Sequence, residues 1–287
     1  MSGALDAVLD RLRCPHCAAA LTRDGGTLGC ARGHRYDVAR DGHVALLPPR
    51  GRRHAGDSAA MVAARAAFLA AGHFDPLTEA LVGAARAAAG TTPGCAIDAG
   101  AGTGHQLAAV LDALPGWSGI ALDVATAALR RAARAHPRAA AVGCDTWAAL
   151  PLADGAAELA LCVFAPRNGP ELARVLAPEG ALLVVTPAPD HLGALRAALG
   201  TLRVDPAKPE RLRAALGPDF AQVAARPLAF ELALGRDDAR TLVAMGPSAR
   251  HLDATTLEQR LAVLPEPYAV TASVRVETFS ARPGASR

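Results

Sequence analysis

The stretch that most constrains this chain runs Ala96-Ile97-Asp98-Ala99-Gly100-Ala101-Gly102-Thr103-Gly104-His105. A short apolar run ends in an acid, breaks into alternating glycines, and opens directly into Gln106–Leu111, which has a helical pattern. Strand, glycine turn, helix start is how an open α/β sheet sets backbone N–H groups and a helix N-terminus against a nucleotide-like ligand.

The chain beyond this turn reads as the rest of that sheet. Strands are predicted at 120–124, 139–143, 159–164 and 181–186, with helices at 126–135, 169–177 and from Asp190-His191 to about Gly200. Leu159–Phe164 is apolar throughout, as a central parallel strand should be. Pro227–Leu234 and Tyr268–Phe279 read as a hairpin-type pair of strands, with a helix at 237–244 between them. Upstream, a helix begins near Ser58, with Met61, Ala64, Phe68 and Leu69 on one face. After a break at Gly72–Pro76, a second helix carries Leu77, Leu81 and Val82. The expected fold class is α/β: a Rossmann-like open sheet preceded by a small N-terminal module. The expected division is 1–49, 50–90 (linker and helices) and 91–287.

The N-terminal module follows from cysteine spacing. Cys14, Cys17, Cys30 and His34 fall in the pattern C-x2-C-x12-C-x3-H, so two close pairs on either side of a turn can converge on one tetrahedral ion. Coincidence or a redox Cys-x-x-Cys is the competing reading. So short a segment has little core of its own, and the metal would supply much of its folding energy. Four protein ligands leave no open position for catalysis, and no His-x-Glu precedes the pair as in a zinc deaminase. Tyr36–Leu47 reads as a strand-turn-strand closing the module. Cys95, Cys144 and Cys162 lie in apolar stretches and read as small core residues.

Charge says little by itself. Of 30 basic residues only Lys208 is a lysine, an arginine bias that a GC-rich genome produces, and the net charge is +3. Arg50, Arg52 and Arg53 cluster in Pro48–His54, either a solvated tether or a phosphate-contacting arm. No apolar run approaches a membrane span, and Asp6 and Asp10 interrupt the first apolar segment. The expectation is a cytoplasmic protein with reduced thiols.

Three features sharpen the ligand. Asp123 ends a strand about 20 residues after the glycines, where an acid accepts ribose hydroxyls. Asp145 and Thr146, beside Trp147, are placed for an adenine. Phe164-Ala165-Pro166-Arg167-Asn168 leaves the next strand toward the same crevice. The glycines run G-x-G-x-G after an acid, not the G-x-G-x-x-G of a diphosphate site, which suits S-adenosylmethionine with its charged amino-acid tail.

On these residues the chain resembles the 23S rRNA guanine-N1 methyltransferases, especially the macrolide-resistance branch of Gram-positive producers of tylosin-like antibiotics. The resemblance runs through Leu12–Cys17, Gly33–Gly42, Met61–Ala66, Gly72-His73-Phe74, Asp98–Gly104, Val163–Asn168, Thr186-Pro187 with His191-Leu192, and Val243–Ser248. It implies methylation of guanine N1 in a 23S rRNA hairpin loop near the peptide exit tunnel, drug resistance, and a homodimer. It places zinc on Cys14, Cys17, Cys30 and His34. It places the methyl donor against Phe74, Gly102-Thr103 and His191; the reading of the glycine turn and strand ends adds Asp98, Gly100, Gly104, Asp123, Asp145, Thr146 and Ala165 to the expected donor site. Apart from the resemblance, the Pro166-Arg167-Asn168 loop is expected to orient the base and to help remove its N1 proton, directly or through water, which makes Arg167 and Asn168 the candidate catalytic residues. The family usually has Tyr-Val-Asn where this chain has His43-Val44-Ala45, and often tyrosine at position 74. A small-molecule methyltransferase and a non-catalytic RNA-binding relative are the competing functions. A basic surface over Arg32, Arg35, Arg40, Arg50, Arg52 and Arg53 would favour RNA.

Overall fold

The computed structural model describes residues 3–47, 56–200, 214–246 and 253–282. The basic cluster at Arg50, Arg52 and Arg53, and residues 247–251 beyond Gly246, lie outside them. The chain opens with a helical turn, α1 (Gly3–Asp6). A three-stranded antiparallel sheet of β1 (Leu21–Asp24), β2 (Thr27–Cys30) and β3 (Arg35–Asp37) follows. Its last relative, β4 (Val44–Ala45), leaves this sheet and pairs in parallel with β7 (Ala139–Gly143). The strand-turn-strand expected to close the module is therefore only an isolated Val38–Val44 bridge, and the second arm extends the large sheet instead. Buried Val44 and Leu46 give it an apolar reason to do so.

Two helices cross next. Helix α2 (Ala59–Ala70) is capped by Ser58, whose hydroxyl accepts from the Met61 amide; α3 (Asp75–Ala88) starts with proline in its first turn. Then come β5 (Cys95–Ala99), α4 (His105–Ala113), β6 (Ser118–Asp123), α5 (Thr126–Ala135), β7 and β8 (Ala157–Val163). They are followed by α6 (Gly169–Val175), β9 (Leu176–Pro187), α7 (Gly193–Leu199), β10 (Phe220–Leu234), α8 (Arg236–Ala244), α9 (Ala254–Ala262) and β11 (Tyr268–Ala281). The order across the eight-stranded sheet is β10-β11-β9-β8-β5-β6-β7-β4, with β11 antiparallel to both its neighbours. Strand order reverses between β5 and β8, and in such sheets the crevice outside the carboxyl ends at that switch point receives the ligand.

Several boundaries differ from the sequence expectation. Helix α6 stops at Val175, and β9 starts immediately, with Leu176 already paired to Ala157. Pro178-Glu179-Gly180 is a bulge in that strand, where the register jumps before Leu159 pairs with Ala181. Strand β10 begins at Phe220, seven residues early, because its first half is an exposed edge without inward-outward alternation.

Both sheet faces are covered. One core packs α3 and α4 against Leu159, Leu161, Leu183 and Val185. The other joins Ile97, Ile120, Cys162 and Val184 to Leu5, Val8, Leu12, Leu21 and Leu28. The N-terminal segment thus shares its core with the sheet. The Arg13 amide donates to the Pro151 carbonyl at 2.9 Å, and the Ala153 amide donates to the Arg11 carbonyl at 2.8 Å. No helix among the described residues is long and apolar enough to cross a membrane.

Candidate functional site: a methyl-donor crevice and a zinc knuckle

Cys14 and Cys17 sit on one tight turn, in which the Ala18 amide donates to the Cys14 carbonyl at 2.8 Å. Cys30 and His34 sit on another, closed by the Gly33 amide on the Cys30 carbonyl at 2.9 Å. The four ligand atoms lie within 4.8 Å of one another. Cys17 and Cys30 sulfurs are 3.7 Å apart, and His34 Nδ1 is 3.4 Å from Cys14 Sγ and 3.3 Å from Cys30 Sγ. A tetrahedral zinc with ordinary bond lengths has S···S edges of about 3.8 Å and S···N edges of about 3.5 Å. The donor set and its spacing therefore fit zinc. Burial pushes the Cys14 thiol up, but the Tyr36 hydroxyl 3.0 Å away and the backbone of His16 and Cys17 outweigh it and bring it down to about 6. A thiolate is the form that binds metal. The His16 ring stacks on His34 at 4.7 Å.

The glycine turn leaves β5 as expected. Gly100 and Ala101 both donate to the Leu122 carbonyl, tying the turn to β6. A Cβ at Gly100 would stand 2.6 Å from that of Ala165, so the glycine turn and the loop after β8 meet directly. Asp98 is buried, and its Oδ1 has no hydrogen-bond partner among the described residues. Burial, with some repulsion from Asp123, pushes its carboxyl up to about 7. A buried, unsatisfied carboxylate at a glycine cradle fits a ligand that brings a cation, as the ammonium of S-adenosylmethionine does.

Asp123 is more committed than its sequence position suggested. Its Oδ2 accepts from the Gly102 amide and its Oδ1 from the Ala125 amide, both at 2.8 Å. Burial raises its pKa, the two backbone amides offset part of this, and Asp57 adds to the rise. It braces the glycine turn first, and only remaining lone pairs can meet ribose. Asp145 is buried and accepts from the Trp147 amide at 3.1 Å; Trp147 itself is half exposed. Thr103 is buried in the turn, while Thr146 lies in the loop beyond β7.

Phe74 is buried in an aromatic cluster that the sequence pattern did not disclose. Its ring meets Phe68 at 5.2 Å, Phe230 at 5.9 Å and Phe164 at 6.4 Å, and Phe164 meets His191 at 5.9 Å. Phe164 and Leu192 hold positive φ angles of 53° and 54°, a left-handed conformation uncommon for residues that carry a side chain. Asn168 Nδ2 donates to the carbonyls of Trp147 and Ala148 at 3.2 and 3.1 Å, pinning two loops together. Only its side-chain carbonyl is left to face a substrate. Arg167 Nε is buried without a partner among the described residues. Arg32, Arg35 and Arg40 are exposed on the zinc-bearing module. Cys95, Cys144 and Cys162 are buried, and burial pushes the Cys95 thiol up to about 11, so they behave as core residues.

This sheet, glycine turn and switch-point crevice define a class I S-adenosylmethionine-dependent methyltransferase joined to a structural zinc site. The RlmA N-terminal zinc-ribbon family model matches residues 12–54. The chain is 52% identical over 268 residues to the 23S rRNA (guanine(748)-N(1))-methyltransferase of Streptomyces fradiae, spanning 93% of this chain and 95% of that one. It is 50% identical to a Micromonospora griseorubida protein provisionally named for guanine-N1 methylation of 23S rRNA, spanning 95% and 98%. The chain belongs to the 23S rRNA (guanine-N1-)-methyltransferase family. Among solved structures, an S-adenosylmethionine-dependent methyltransferase of Thiobacillus denitrificans, complexed with S-adenosylhomocysteine, is 19% identical. It has a TM-score of 0.47 and covers 71% of this chain and 91% of its own.

Proposed function

We propose that this protein transfers a methyl group from S-adenosylmethionine to N1 of a guanine in 23S rRNA. The observation that carries the reading is the 52% identity to the Streptomyces fradiae enzyme over 93% of the chain. The Cys14–His34 cluster and the Asp98–Gly104 turn, both present in one continuous fold, support it. Residues 1–49 grip the RNA, residues 50–90 connect, and residues 91–287 carry the transfer. Zinc holds the grip in shape through Cys14, Cys17, Cys30 and His34, with Arg32, Arg35 and Arg40 facing phosphates. The target is a hairpin loop, whose unstacked bases expose the Watson–Crick edge that bears N1. The enzyme works in the cytoplasm as a homodimer and confers macrolide resistance.

When bound, S-adenosylmethionine supplies an electrophilic methyl on a sulfonium sulfur. Asp98 holds the ammonium of its amino-acid moiety. Gly100, Gly102, Thr103 and Gly104 let the backbone approach, Asp123 meets the ribose, and Asp145, Thr146 and Ala165 border the adenine end. Phe74 and His191 wall the crevice and exclude water, so the chemistry left to the protein is alignment. As N1 takes the methyl, the methyl–sulfur bond breaks and the N1 proton passes to water, and the negative charge that builds on the base as that proton leaves is shared with O6 of the guanine. Arg167 donates to that oxygen, and Asn168 offers its side-chain carbonyl to the base's exocyclic amine while its amide fixes the loop. Zinc-loaded protein, labelled donor and deproteinised 23S RNA test this directly. Label should enter the RNA and not free guanosine or a macrolide precursor; transfer to the small molecule alone overturns the reading.

A further inference from the structure

Arg65 lies on α2, outside the sheet, yet its side chain reaches the glycine turn. A Cβ on Gly102 would stand 3.4 Å from Arg65 Nη1 and 3.7 Å from its Cδ, so the guanidinium lies within contact range of the turn. Nη2 donates to the Met245 carbonyl at 2.9 Å, and Nη1 pairs with Asp57 at 2.5 Å. The segment leading into α2 crosses the end of β6: a Cβ at Gly56 would meet that of Ala125 at 2.8 Å, and Asp57 repels the Asp123 carboxylate. One guanidinium and the carboxylates of Asp57, Asp98 and Asp123 are thereby gathered around a single turn.

The amino-acid end of the donor is a zwitterion, and its two charges need partners of opposite sign. Asp98 is the unsatisfied buried carboxylate that an ammonium answers. We propose that Arg65 binds the carboxylate of the donor's methionine moiety, giving up Asp57 for it while the Met245 carbonyl keeps the guanidinium in place. The exchange suits arginine, whose planar fork grips a carboxylate through two parallel N–H groups, and the side chain is already ordered over the turn. Asp57 is 27% exposed and can return to water when displaced. This inference rests on the donor reading above, and the test separates the two.

Calorimetric binding to the zinc-loaded full chain compares S-adenosylhomocysteine with 5′-methylthioadenosine, which keeps adenosine and sulfur but has no amino acid. Wild-type protein should bind the former more tightly. Arg65→Met should weaken S-adenosylhomocysteine by roughly 10- to 100-fold, the loss expected for one charge-assisted pair, and leave 5′-methylthioadenosine within about twofold. Equal weakening of both, or neither, overturns the role. If Arg65→Met fails to fold, Arg65→Lys decides, since it keeps the charge but loses the fork. Its preference for S-adenosylhomocysteine should shrink, and an unchanged preference overturns the proposal. Wild-type protein that binds neither compound overturns the donor reading itself.

Discussion

Asp98→Asn isolates what the donor crevice costs the empty protein. Asp98 has a carboxyl moved from an ordinary 3.8 to about 7 by burial and by Asp123. At about 1.4 kcal/mol per pH unit, the ionised form carries a penalty of about 4 kcal/mol in the folded state, an upper figure for a site that relaxes. The sign follows from a raised carboxyl pKa. Below about pH 4 the group is protonated in both folded and unfolded chains, and no penalty exists. Between about pH 4 and 7 the unfolded chain gives up its proton first, so stability falls as pH rises, and above 7 the full penalty applies. Urea unfolding of zinc-loaded wild type and Asp98→Asn at pH 5, 6, 7 and 8 should show the variant gaining on the wild type across that range. At pH 8 it should lead by as much as about 4 kcal/mol. The same variant should bind S-adenosylhomocysteine more weakly. In the wild type, affinity should climb by up to about tenfold per pH unit below 7, as binding a cation expels the Asp98 proton. A variant no more stable than wild type at pH 8 refutes the argument, because it would mean that Asp98 is already satisfied without a ligand.

Three further outcomes rest on the geometry. Zinc bound by Cys14, Cys17, Cys30 and His34 supplies on the order of 10 kcal/mol to its segment. Chelation should release a single equivalent of zinc and lower the thermal midpoint of the whole chain, because the module's core is continuous with the sheet; an unmoved midpoint contradicts this. Gly104→Ala should cost about 3 kcal/mol in urea titration. Gly104 has φ +78°, and a Cβ there would lie 2.9 Å from Ala132 Cα; a loss under about 1 kcal/mol is the contrary result. Asn168→Ala frees the Trp147–Ala148 loop from two hydrogen bonds. It should slow single-turnover methylation of RNA by roughly tenfold or more while donor affinity holds, and a full rate removes Asn168 from the mechanism.

Much of the fold is legible in the amino-acid sequence alone. The helix at 126–135 and the strand at 139–143 fall where the pattern puts them, because each is a short amphipathic or wholly apolar run bounded by turn residues. The zinc ligands are legible for a similar reason, since their spacing is local. What the pattern misses are contacts made across long stretches of chain. Val44 and Ala45 are too few to show a period, and their partners Val142 and Gly143 lie far along the sequence. Pro178–Gly180 looks like a break because proline and glycine mark bulges and turns alike. Arg65 sits inside a recognisable stretch, Met61–Ala66, yet nothing in the sequence puts it over Gly102. Likewise Phe68 with Phe74, Phe164, and Phe230 come from three distant stretches, and only the folded chain gathers them around Phe74, with Phe164 meeting His191. Asp123 ends β6 where the sequence pattern puts a strand end, but its bonds to the Gly102 and Ala125 amides depend on how the turn closes and leave no trace in the pattern.

If the methyl group goes to N1 of a guanine in 23S rRNA, it blocks the Watson–Crick edge of that base. Reverse transcription of RNA treated with zinc-loaded protein and S-adenosylmethionine should then halt one nucleotide before a single guanine in a hairpin loop. The halt should vanish when the donor is omitted. Stoichiometric methylation of the RNA without such a halt would contradict guanine-N1 transfer, because the methyl group would then lie off the pairing edge.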